Sequence, residues 1–99
     1  MLVLTEVNFK IQLFAAIAIC VIGLYLGLSS FEWMLQFLAI GLVLVAEALN
    51  TAIEKLADQV HKEQHKDIGL VKDIAAAAPA IAALTALIIA AIIYLPKIT

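Results

Sequence analysis

The sequence predicts an all-α integral membrane protein with three transmembrane helices. Composition comes first: 66% of the 99 residues are hydrophobic and 14% are charged, against roughly 25% charged in a soluble domain. A soluble chain of this length could not hide that much apolar surface. The second observation is that the apolar residues gather into three runs long enough, at about 1.5 Å of helix per residue, to cross a bilayer. The third is a single charged stretch, residues 47–73, between the second run and the third. A chain this short makes one domain.

The first ten residues are mixed, with Glu6, Asn8 and Lys10 interrupting an apolar background; they read as a frayed helix start at the membrane interface. There is no basic region ahead of the first run and no small-residue cleavage site at its end, which is not the pattern of a removed signal peptide. The first span is read as residues 11–28, uncharged and with one amide, Gln12. Gly27 and the Ser29-Ser30 pair then signal a short turn.

The second span is read as residues 33–54, with Phe31 and Trp33 as an interfacial aromatic anchor. From Trp33 to Ala46 there are only 14 residues, about 21 Å of helix against a hydrocarbon core of about 30 Å. The span must therefore continue through Glu47 and Asn50, leaving Glu47 about 9 Å below the far surface. A hydrophilic connection follows over about 57–72, with Gly69 expected to break the helix. The third span is read as 74–95, uncharged and alanine-rich, with small side chains that permit close helix approach. Pro79 falls early in it and is expected to bend it, and Tyr94 is expected to anchor its exit.

Lys55, Lys62, Lys66 and Lys72 flank or fill the second connection, and Lys10 precedes the first span. The positive-inside rule then places the amino terminus and that connection in the cytoplasm and the carboxyl terminus, with Lys97, outside. All six basic residues are lysines without a basic stripe, so nothing suggests nucleic acid as a partner. The one cysteine, Cys20, cannot form a disulfide within the chain.

Chemistry concentrates on the second span. Continued as one helix, it lines up Glu47, Asn50, Glu54, Asp58 and His61 along one side. Ionisable groups are costly at membrane depth and usually mark function. Paired carboxylates suit Mg²⁺, a hard cation that shares its shell with phosphates. A carboxylate such as Glu47 could accept a hydroxyl proton, and Lys72 or Lys10 could hold phosphate as a point charge. No P-loop or kinase-type glycine loop is present. The same polar line could instead pair helices within an oligomer. His61 and His65 stand four apart, a spacing that can hold a metal but more often belongs to a solvated loop.

The stretch EALNTAIEKLAD, followed by a histidine-containing loop and GLVKDIAAAA, closely resembles the small bacterial membrane kinases, the diacylglycerol kinase and undecaprenol kinase family. TEVNFKIQ resembles the family's segment ahead of the first span, so the likeness covers essentially the whole chain. It implies a homotrimer of three-span subunits in the bacterial inner membrane, with sites at the cytosolic interface. It also implies transfer of the γ-phosphate of ATP to a membrane lipid hydroxyl, with Mg²⁺ as cofactor. By the same resemblance Glu47 is the catalytic base, and Glu6 and Glu54 hold the metal. Asn50 and Lys10 line the site; Glu63, His65, Lys72 and Asp73 contact the nucleotide. NTAIEKLAD looks more like the undecaprenol than the diacylglycerol branch. Gln64 stands where some members carry an aromatic residue. Members usually carry a leading amphipathic surface helix, whereas here Met1 lies five residues before Glu6. The alternative expectation is accordingly a truncated, non-catalytic helical membrane subunit.

Overall fold

The computed structural model describes residues 2–60 and 66–99, with side chains from residue 9 onward, and the described residues form three α-helices. The helices are α1 (Leu2–Leu26), α2 (Ser30–Val60) and α3 (Lys66–Ile98). Each contains a window apolar and long enough to span a membrane. The molecule is 51 Å along its longest axis, close to the roughly 50 Å that a helix of α3's length rises. Glu63 and His65 lie outside the described residues, as do His61, Lys62 and Gln64.

The turn between α1 and α2 is built from local chemistry. Gly27 has φ 74°, the left-handed conformation that ends helices and costs glycine nothing. The Gly27 and Leu28 amides both donate to the Gly23 carbonyl, at 2.9 and 3.3 Å. Ser29 then caps α2 reciprocally with Glu32: the Glu32 amide donates to Ser29 Oγ at 3.2 Å, and the Ser29 amide donates to Glu32 Oε1 at 2.9 Å. This Ser-x-x-Glu capping box satisfies two donors that the helix start would otherwise leave unpaired.

α2 and α3 form an antiparallel hairpin packed along its length, while α1 touches α2 much less. The seam is made of small residues. Ala39, Ala46 and Ala57 are buried on α2, and Ala75, Ala82 and Ile93 on α3. On each helix the outermost two of these stand 18 residues apart, five turns at 3.6 residues per turn, so both seams keep to one face. Three polar contacts nest along the hairpin. Lys72 pairs with Asp58 near the connection, the Tyr94 hydroxyl bonds Gln36, and Lys97 Nζ reaches Glu32 Oε1 at 3.1 Å at the far end.

Two features differ from the sequence expectations. The helices run further than the connection at about 57–72 allowed: α2 reaches Val60 and α3 begins at Lys66, so Gly69 lies inside α3 and breaks nothing. α3 also continues through Pro79, and α1 already starts at Leu2. Glycine costs a helix about 1 kcal/mol, which tertiary packing along α2 readily outweighs. Tyr94 does not anchor an interface. It turns inward between Gln36 and the Ile19 carbonyl, 3.2 Å away on α1. A phenol among apolar side chains needs a hydrogen-bond partner, and Gln36, only 4% exposed, needs one as much. Gly23 leaves room for this junction: a Cβ there would stand 3.1 Å from both the Tyr94 hydroxyl and the Trp33 ring. Trp33 in turn stacks on Phe37, centroids 5.5 Å apart.

Outward, the chain is oily. Phe14, Leu24, Tyr25, Leu38, Leu87 and Ile92 are among many large apolar residues facing away from the bundle. A surface of this kind is stable against lipid or against other subunits.

Candidate functional site

The site follows from where the oily length of α2 ends. Counting about 20 residues from the aromatic pair near its start crosses a hydrocarbon core of about 30 Å. That places the second boundary near Ile53. Glu47 and Asn50 then lie just inside it, Glu54 at it and Asp58 beyond it. α2 remains one unbroken helix throughout, because nothing between Ala46 and Val60 interrupts it: there is no glycine or proline there.

On this helix Glu47, Asn50 and Glu54 are half-buried and Asp58 is exposed. Asn50 Nδ2 donates to Glu54 Oε1 at 2.8 Å, one turn away. The amide so fixed leaves its Oδ1 buried without a partner. Thr51 Oγ1 donates to the Glu47 carbonyl at 2.9 Å, tying its hydroxyl to the helix that carries Glu47. Over the described residues, Glu47 to Asp58, the line expected from spacing is a polar face, and Asn50 and Glu54 on it are joined.

The other helices contribute less evenly. Lys72, on α3, turns its ammonium to Asp58. Asp73 is exposed; as the next residue along, it points about 100° away around the helix axis. Lys10 is exposed on α1, and the backbone of Glu6 lies one turn before it in the same helix. The pairing of Lys72 with Asp58 was not foreseen from sequence. Its signal was there in the four-residue step from Glu54 to Asp58, which keeps Asp58 on the polar face.

For a divalent cation, the described side chains offer hard oxygens: the Glu54 carboxylate and the unpartnered Asn50 Oδ1. Such donors fit Mg²⁺, which takes one or two carboxylates and completes its shell with water and phosphate. Among the described residues no three acidic, histidine or cysteine side chains gather around one point.

Fold and site together define a three-span integral membrane protein with an acid–amide line at one membrane boundary. Residues 1–94 match the family described as prokaryotic diacylglycerol kinase, and the chain belongs to that family. It is 40% identical over 94 residues to the undecaprenol kinase of Bacillus subtilis, an alignment covering 95% of this chain and 76% of the relative. It is 33% identical to a diacylglycerol kinase of Synechocystis, over 95% of this chain and 54% of that protein. It is 32% identical to the diacylglycerol kinase of Escherichia coli K12, over 86% of this chain and 70% of that one. The resemblance read from EALNTAIEKLAD is thus established, and it places the chain among kinases of lipid alcohols.

Proposed function

We propose that this protein phosphorylates a polyprenol such as undecaprenol, using ATP, at the cytosolic face of the bacterial inner membrane. The observation that carries the reading is the joined Asn50–Glu54 pair with Glu47 one turn deeper, at the depth where a lipid hydroxyl meets water. The 40% identity to an undecaprenol kinase supports the polyprenol acceptor over a diacylglycerol.

In this reading Glu47 takes the proton of the lipid hydroxyl. The freed oxygen attacks the γ-phosphorus, the bond to the bridging oxygen breaks, and ADP leaves. Phosphoryl transfer asks mainly for positioning and charge neutralisation. Glu54, with Asn50 bonded to it, and Glu6 by the family resemblance would hold a magnesium ion whose charge offsets that of the phosphate oxygens. Lys72 and Lys10 face the same end of the bundle and add positive charge; by the family resemblance, Glu63, His65 and Asp73 would also contact the nucleotide. The lysine distribution supports the cytosolic placement of this end. A homotrimer would cover much of the apolar surface that the single chain leaves exposed.

The test is radiolabelled phosphate transfer from Mg²⁺–ATP by the purified protein, with undecaprenol and diacylglycerol offered separately. Transfer to undecaprenol alone is expected. Preferential transfer to diacylglycerol would overturn the acceptor, and absence of transfer to both would favour a non-catalytic helical subunit.

A further inference from the structure

We infer that Asp58 is a positioning residue for the nucleotide, acting through Lys72; this rests on the kinase reading above. Asp58 stands one turn beyond Glu54 on the same face of α2 and pairs with the Lys72 ammonium of α3. Their side chains are 47% and 32% exposed. A pair so open to solvent adds little to stability, so its consequence is where it puts the charge. A free lysine side chain sweeps a wide volume on its four-carbon stem. Held by Asp58, the ammonium is tied to a residue one turn, about 6 Å of helix rise, along α2 from Glu54. That is the side from which the phosphates of a nucleotide would approach a metal held at Glu54. An ammonium has three donors; Asp58 occupies one and leaves others for phosphate oxygens. The second ion pair of the hairpin, Glu32 with Lys97, joins the same two helices at the opposite end and has no such neighbour. It serves as the internal control.

The experiment measures Mg²⁺–ATP binding by equilibrium dialysis, and steady-state transfer, for the full chain in bilayer nanodiscs. Asp58→Asn is expected to raise both Kd and KM for ATP about 3- to 10-fold, with kcat and the KM for lipid unchanged within about twofold. Asp58→Glu is expected to recover most of the loss. In a Lys72→Gln background, Asp58→Asn should add nothing further. Glu32→Gln, which cuts the distant pair, should leave ATP affinity alone. An unchanged ATP affinity in Asp58→Asn overturns the inference, as does a full additional loss in the Lys72→Gln background. If the parent protein binds no ATP, the kinase reading itself fails; if it binds ATP and Asp58→Asn does not alter it, only the role of Asp58 fails.

Discussion

Asn50 Nδ2 donates to Glu54 Oε1 at 2.8 Å, one turn apart on α2, and its own Oδ1 is left buried and unpartnered. The amide thus holds the carboxylate proposed to bind the metal and presents a further oxygen beside it. Outer partners of metal ligands typically contribute 10- to 100-fold in metal affinity, so Asn50→Ala is expected to raise the Mg²⁺ needed for half-maximal transfer by about that factor. A magnesium titration at saturating ATP checks it; an unchanged midpoint would separate Asn50 from the metal.

Glu47 lies one turn deeper than Asn50, half-buried on the same face. Glu47→Gln keeps the size and removes the proposed base. General-base loss typically costs about 10²- to 10⁴-fold in kcat, and transfer should fall by that much while cross-linking gives the same assembly state as the parent. A changed assembly state alongside lost activity would instead assign Glu47 to helix association.

The Tyr94–Gln36 junction is a matter of stability. Tyr94→Phe leaves the buried Gln36 acceptor without its hydroxyl donor, a loss of about 1–3 kcal/mol. Removing both groups in Tyr94→Phe/Gln36→Leu should recover much of that, since an apolar pair needs no partner. Denaturant unfolding in mixed micelles measures both; equal destabilisation by the single and the double variant would contradict the account.

At the start of α2, Ser29→Ala removes one arm of the capping box and is expected to destabilise by about 1 kcal/mol. Glu32→Gln removes charge from both the cap and the Lys97 pair, yet should leave phosphate transfer untouched, because this end of the hairpin lies a membrane thickness from Glu54. A fall in kcat in either variant would show that the two ends are coupled.

Much of this was legible beforehand for physical reasons. Long uncharged runs have only one stable arrangement in a bilayer, so three spans follow from composition and length. The polar line of α2 follows from helical period, because residues three, four and seven apart share a face whatever they pack against. The Ser29–Glu32 cap is equally legible, its Ser-x-x-Glu spacing standing beside Gly27. The extent of α3 was not legible. Gly69 and the charges around it resemble a loop, and only the length of α2 beyond the bilayer gives α3 a surface on which to continue.

By itself the sequence determined the class of this protein: three membrane helices, a glycine-ended turn, and an acid–amide face placed at a boundary by the shortness of the apolar run before it. The tertiary structure decided which side chains meet. Lys72 turns to Asp58, Tyr94 leaves the interface for Gln36, and Asn50 spends its amide on Glu54. Helical period fixes the direction a residue faces along its own axis. Contacts between helices also depend on register and on close approach, which here come from alanines buried along the hairpin and from the room left by Gly23.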